Sequence, residues 1–215
     1  MKQTVTNSGV GKWVTRMYDA EKAAGTLKFV DDLEFGPSLL YAKAVRSTVP
    51  HGEIISIDKS EALKVSGVKE VIVGEDFPYR FGLYLKDRSP MAIKKVRYIG
   101  EPVALVVAES EEAAEEGALK VSVKYKELEA VFDPVKAATD NSGLVHPELG
   151  SYEHVDFITP QPGTNIANWF RVRRGDIEKA FKEADYIFEE AVTYPQIAHG
   201  FLEPHCCVCV QDRVS

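Results

Sequence analysis

Between residues 97 and 130 the apolar positions change rhythm twice, and each change marks an element. Pro102–Ala108 is an unbroken apolar run, too short for a helix and rich in β-branched residues, which predicts a strand covered on both faces. Residues 121–127 alternate instead, with Val121, Val123 and Tyr125 on one side and Ser122, Lys124 and Lys126 on the other, the pattern of a strand with one wet face. In the interval, Ala113, Ala114, Gly117, Ala118 and Val121 recur at helical spacing opposite Glu111, Glu112, Glu115, Glu116 and Lys120. Ser110 is a natural N-cap, and the two glutamates after it place negative charge where a helix dipole favours it. The buried face has almost no side-chain bulk, so the helix axis can lie close to a sheet, against a cost of about 1 kcal/mol for a mid-helix glycine. Leu119 falls outside that face and is free to meet another surface.

The same reading, carried along the chain, predicts strands over 39–46 and 53–58 with a Pro50-His51-Gly52 turn between them, a hairpin-like signal. A short capped helix follows over 60–65, stopped by Gly67, and then a strand over Val68–Val73. Strand, helix and strand, repeated near 104–125, indicate an α+β or α/β layer with at least one right-handed crossover. Tyr79, Phe81 and Tyr84 beside Lys86, Asp87 and Arg88 are read as core or interface in preference to a ligand-stacking set. Over 133–165 turn formers break every long element, which predicts a domain boundary and an extended linker. Beyond it come a strand at 166–173, a helix capped by Asp176 with Ile177, Ala180, Phe181 and Ala184 on one face, and a strand at 186–194. The polar start, 1–8, is expected to fray or lie on a partner.

Composition narrows the class of function. A chain of 215 residues with 45% hydrophobic and 27% charged residues can bury a sizeable core. Its net charge of −7 argues against a broad nucleic-acid footprint, and the one dense basic cluster, Arg171, Arg173 and Arg174, is read as a solvated strand end. No apolar stretch approaches the roughly 18 residues that span a bilayer, and the first ten residues lack the apolar core of a signal peptide, so the expected location is cytoplasmic. All three cysteines lie within 206–209, too few and too close for a disulfide framework.

His199, Glu203 and His205 are the sharpest candidate for chemistry, since two imidazoles and a carboxylate within seven residues are metal-ligand types. Gly200 and Pro204 interrupt the helix that an HExxH-type zinc site requires, and Pro204 also disfavours regular strand pairing. The plainer expectation makes Glu203 a carboxylate that organises a turn, with the two histidines as its hydrogen-bond partners. Cys206, Cys207 and Cys209 are thiolate ligand types too, but on a strand only Cys207 and Cys209 point the same way, so structural packing is the expected role. Phosphate loop, Rossmann fingerprint and serine elbow are all missing from the sequence, and Gly9-Val10-Gly11 lacks a third glycine and a preceding strand.

The string KKVRYIGEPVALVVAESEEAAEEGALKVSVKYKELEAVFDP closely resembles the end of the α/β-hammerhead domain in the large, molybdenum-bearing component of the xanthine dehydrogenase/aldehyde oxidase family. The order LYAKAVRS, HGEIISID, GVKEVIVGEDFP continues the likeness upstream, with departures at AAGTLKF and STVPHGEI, both in loops. FRVRRGDIEKAFKEADYIFEEAVTYPQIAHGFLEPH resembles the opening of the same family's molybdopterin-binding part, FLEPH being its most recognisable piece. The resemblance implies an α+β fold: an N-terminal arm at 1–18, an α/β-hammerhead domain at 19–132, an extended linker at 133–165 and an incomplete α+β molybdopterin-binding region at 166–215. The implied activity is hydroxylation of an N-heterocycle or aldehyde carbon by a molybdenum hydroxylase, with molybdopterin in the complete enzyme and 2Fe–2S clusters and FAD on partner domains or subunits. The same resemblance puts the base carboxylate far later in the chain. This stretch is then expected to supply no catalytic residue, no firm cofactor ligand and no metal ligand, to bind no cofactor alone, and to lend at most Glu203 and His199 as supports behind the site. Expected partners are the remainder of the large subunit, the 2Fe–2S and FAD components and a small-molecule substrate, with neither nucleic acid nor membrane. A non-catalytic module that docks a redox partner is the alternative, and a small hydrolase using His199, Glu203 and His205 is a further rival.

Overall fold

The structure, a computed structural model, describes residues 11–13, 15–139, 143–201 and 203–210. The expectation for residues 1–8 falls outside them. The chain divides into two units, one of Pro37–Ile187 and one of Met1–Gly36 with Phe188–Ser215. Helix α1 (Asp19–Ala24), with no buried residue, belongs to the latter.

Six strands, β1 (Tyr41–Arg46), β2 (Gly52–Asp58), β3 (Val68–Val73), β4 (Lys95–Val96), β5 (Pro102–Ala108) and β6 (Ser122–Glu127), lie in the first unit. They form two three-stranded sheets, ordered β1-β5-β3 and β4-β2-β6, and every pairing is antiparallel. β5 is central, as its unbroken apolar run requires, with Val103, Ala104, Val106 and Ala108 fully buried. In β6 the alternation holds, Val123 and Tyr125 turning inward while Ser122, Lys124 and Lys126 face water. Ala104, Val106 and Val71 from the first sheet share a core with Val121, Ile57 and Val123. A second cluster joins Val96 of β4 to Val103 of β5.

Helix α2 (Glu111–Lys120) starts where the sequence indicates: Ser110 accepts a hydrogen bond from the Ala113 amide at 3.1 Å. Its buried residues are Ala113, Ala114 and Gly117, and Leu119 stands in solvent. A Cβ added at Gly117 would lie 2.8 Å from Val106 Cγ1 and 3.0 Å from Val68 Cγ2, so the missing side chain is what seats the helix on the sheet.

Three local expectations are corrected. β1 and β2 do not form a hairpin: β1 pairs with β5, and β2 with β4 and β6. The turn-forming residues between them serve to change sheets. Ser47 and His51 are buried there, Ser47 Oγ donates to the Val49 carbonyl, and the His51 ring contacts the Glu129 carbonyl at 2.6 Å. With all pairings antiparallel there is no parallel crossover either, since α2 carries the chain from β5 in one sheet to β6 in the other. The helix expected at 60–65 is a single 3₁₀ turn, Ala62–Lys64.

Residues 133–165 carry local structure that their breakers did not suggest. Helix α3 (Pro134–Thr139) is capped by Asp133, whose carboxylate accepts from the Val135 and Lys136 amides. A 3₁₀ turn at Leu149–Ser151 follows, with Leu149 and Tyr152 buried. Further on, helix α4 (Ile177–Glu183) forms, with Asp176 accepting from the Lys179 amide at 3.0 Å. The strands expected at 166–173 and 186–194 are not formed. Ile166 and Trp169 instead close a local loop, through the Gln161 amide to the Ile166 carbonyl and the Trp169 amide to the Thr159 carbonyl. At 186–194 the alternating apolar side chains stand in solvent, Phe188 at 90% exposure. An alternating pattern becomes a strand only when another strand accepts its hydrogen bonds, and none among the described residues does so.

Candidate functional site

The residues singled out for chemistry lie in the second unit, on an exposed stretch with no regular structure. Gly200, at φ 61°, makes a left-handed turn between His199 and Phe201. The His199 ring stacks almost parallel on Phe201, at 5.3 Å and 8°, and His205 lies 5.4 Å from the same ring, tilted at 56°. The histidines thus pack on the phenylalanine, and among the described residues no hydrogen bond or ion pair joins either of them to Glu203. The turn-organising carboxylate expected at Glu203 is not what these contacts show. An open cleft of about 340 Å³ runs along Phe201, Glu203, Pro204, His205 and Cys206. Cys206, Cys207 and Cys209 are exposed where packing was expected, because no sheet forms around them. The neighbouring Cys209 thiol pushes the Cys207 pKa up. Among the described residues no three His, Cys, Asp or Glu side chains converge to hold a metal ion.

The first unit holds a denser polar cluster that sequence reasoning missed. Arg97, whose side chain is only 13% exposed, forms an ion pair with Glu148 at 2.8 Å and donates from Nε to the Val145 carbonyl. Lys95 Nζ donates to the carbonyls of Leu144 and Val145. Arg80 lies 3.5 Å from Glu148 and over the Tyr152 ring at 4.6 Å. The Tyr152 hydroxyl lies 2.9 Å from His146 Nδ1.

The electrostatics follow from burial and from the two cations on β4 and just after it. Burial, reinforced by the Arg97 charge, pulls the His146 imidazole down to about 4. Tyr152 is pushed up to about 12, by burial first and then by the neighbouring Glu148. At Glu148 burial opposes ionisation, but hydrogen bonds and the Arg97 charge outweigh it and hold the carboxyl below its ordinary value. Burial and Arg97 lower Lys95. The cluster pins residues 144–152 to the sheet and fixes protonation states. No signal in the sequence paired Arg97 with Glu148, since 51 positions separate them and His146-Pro147 reads only as a breaker.

Beside it, a cleft of about 250 Å³ is lined by Pro50, His51, Arg97, Tyr98, Val131 and Phe132, among others. His51 is 5% exposed, and its Nε2 has no hydrogen-bond partner among the described residues.

Against known proteins, the family described as "Aldehyde oxidase and xanthine dehydrogenase, a/b hammerhead domain" matches residues 24–129. The family described as "Molybdopterin cofactor-binding domain" matches residues 158–215. The chain is 36% identical over 193 residues to a probable xanthine dehydrogenase subunit of Bacillus subtilis (strain 168), covering 89% of this chain and 24% of that protein. To the nicotinate dehydrogenase large molybdopterin subunit of Eubacterium barkeri it is 32% identical over 206 residues, covering 95% of this chain and 45% of that one. Among solved structures, the reconstituted CO dehydrogenase from Oligotropha carboxidovorans superposes with a TM-score of 0.66 at 27% identity, covering 82% of this chain and 22% of that one. The chain therefore spans a quarter to just under half of these curated relatives. Two domain matches in the order the sequence suggested, on a two-sheet α+β core, make the chain a member of the xanthine dehydrogenase/aldehyde oxidase family.

Proposed function

We propose that the chain is the N-terminal part of the large component of a molybdenum hydroxylase, acting on a carbon of an N-heterocycle or an aldehyde. The observation that carries this reading is the tandem match of hammerhead and molybdopterin-binding families to residues 24–129 and 158–215. On this reading residues 19–132 are the hammerhead domain, 133–165 the connection and 166 onward the start of the molybdopterin-binding region. The residues present do not fit a molybdopterin on their own. His199, Glu203 and His205 are exposed, the last two along an open cleft, and among the described residues no buried polar cradle for a pterin surrounds them, so no reaction step is assigned to them. What this chain contributes is scaffold, and by itself it is inactive. Its partners are the remainder of the large subunit and components that carry 2Fe–2S clusters and FAD, in the cytoplasm. Among the described residues no helix is long and apolar enough to cross a membrane.

The alternative, a non-catalytic module docking a redox partner, draws on the exposed apolar side chains of the last segment, Tyr186, Phe188 and Tyr194 among them. One experiment separates the two. The polypeptide is isolated from its native cells with co-purifying chains retained, and its mass, metal content and dye-linked oxidation of aldehydes and N-heterocycles are measured. Molybdenum and hydroxylase activity in the isolated assembly support the enzyme. An assembly with flavin or iron–sulfur components, free of molybdenum and activity, supports the docking module.

A further inference from the structure

Among the described residues, His51 Nε2 is the one buried side-chain nitrogen or oxygen atom without a hydrogen-bond partner. The residue is held from several sides. Its Nδ1 lies 2.6 Å from the Glu129 carbonyl, its own carbonyl accepts from the Leu128 amide, and Gly52 beside it pairs with Glu127. A carbonyl only accepts, so Nδ1 carries a proton, and the neutral ring then presents a bare lone pair at Nε2. A buried acceptor left unpaired is destabilising until a donor reaches it. His51 also lines the cleft of about 250 Å³ that Pro50, Arg97, Tyr98, Val131 and Phe132 enclose.

The walls select the donor. Arg97 Nε and Lys95 Nζ both donate to the Val145 carbonyl, so two positive charges stand together at this wall and disfavour a cationic donor. An anion offers lone pairs, where Nε2 needs a proton. A metal ion would find one imidazole only, since among the described residues no three ligand types converge. What remains is an uncharged N–H or O–H. Tyr98 and Phe132 are 56% and 81% exposed, apolar ring surface that a flat molecule covers. The volume suits one or two fused rings and lies under the roughly 300–1,000 Å³ of sites for larger ligands. We propose that this cleft binds a small uncharged aromatic molecule bearing one N–H or O–H donor, of the azole, indole or phenol class, with that donor bonded to His51 Nε2. Nε2 faces no bulk solvent, so the donor is a group inserted beside it. The site uses no residue assigned to the molybdenum reading, so either can fail without the other.

The test follows the histidine ring nitrogens of the ¹⁵N-labelled full 215-residue chain by NMR at pH 8, with indole as probe and 1-methylindole, which lacks the donor, as control. His51→Gln identifies the His51 signals by their loss. Without ligand they are expected to show the proton on Nδ1. Indole, with about nine non-hydrogen atoms, should bind with a Kd on the order of a millimolar and move the Nε2 signal. 1-Methylindole should bind about tenfold more weakly and leave that signal in place. Ala130→Trp, which fills the cleft from its wall, should abolish the response. The proposal is overturned if indole at its solubility limit leaves the His51 signal unmoved, if 1-methylindole binds equally well, or if the proton is found on Nε2. It is equally overturned if folded Ala130→Trp binds indole as the wild type does, and the two ligands on the wild type decide the matter where that variant does not fold.

Discussion

Acidification should weaken the first unit through a single imidazole. His146 is partly buried among Arg97, Lys95, Glu148 and Asp87, with its Nδ1 committed to Tyr152, and the fold lowers its pKa from 6.5 to about 4. Above pH 6.5 neither the folded nor the unfolded imidazole binds a proton, and stability does not depend on it. Between 6.5 and about 4 the unfolded chain takes up a proton that the folded chain refuses, so stability falls as pH falls; below about 4 both are protonated and the loss levels off. At about 1.4 kcal/mol per unit, the full window is worth on the order of 2–3 kcal/mol after allowing for the ring's partial exposure, and pH 5 against pH 7 about half of that, on the order of 1–1.5 kcal/mol. Of the neighbouring carboxyls one acts with the same sign in a lower pH range and one with the opposite sign. Glu148, held below its ordinary value, loses its contribution only at lower pH, while Glu101, raised by burial, becomes less favourable as pH rises above its ordinary range. Both remain in a His146→Gln variant, which keeps an amide donor for Tyr152 and removes only the titration. Urea unfolding of both proteins at pH 5 and pH 7 isolates the imidazole by difference. A wild type that loses no more stability at pH 5 than the variant does would refute the argument.

Further outcomes follow from the packing. Gly117→Ala gains about 1 kcal/mol of helix propensity but overpacks buried Val106 and half-buried Val68 by about 1–3 kcal/mol, so thermal denaturation should show no gain or a net loss of up to about 2 kcal/mol. In a Val106→Ala background the same change should be favourable, with a coupling of at least about 1 kcal/mol in the double-mutant cycle. Ser110→Ala should cost about 1 kcal/mol by loss of the cap on α2, measurable in urea. Arg97→Met, which removes one partner each from Glu148 and the Val145 carbonyl, should cost about 1–3 kcal/mol and speed amide exchange at 144–152 while leaving β5 protected. Amides after Ile166 should exchange faster than those of 103–107, and slower exchange there would contradict the account of an unpaired segment.

Legibility in the sequence tracked how local the cause was. The β5-α2-β6 region could be read residue by residue, because cap, small-residue face and alternation all act within a few positions. The first two strands were found, but their pairing was not, since the turn at 47–51 gives the signal of a hairpin while the two-faced apolar run of β5 claims β1 for another sheet. At 166–194 the pattern calls for strands that need outside partners, and only α4, which bonds within itself, is formed. For the candidate site, the sequence named His199, Glu203 and His205 but not the ring stacking that Gly200 allows. The Arg97–Glu148–Tyr152–His146 cluster depends on tertiary contact across 51 positions and left no trace in any local pattern.

The two sheets take their strands by strict turns: β1, β3 and β5 build one, and β2, β4 and β6 the other. No strand is therefore bonded to the one before it or after it in the chain. As the polypeptide leaves the ribosome, β1 and β3 have nothing to pair with until β5 emerges, and β2 meets only the two-residue β4 before β6 arrives. Each pairing closes a long loop, a topology that slows folding and denies it early local nuclei. The first sheet cannot be completed until Ala108 is outside the exit tunnel, nor the second until Glu127 is, so this domain is acquired late, and shortening it from one end strips an edge strand from one sheet and from the other end an edge strand from the other.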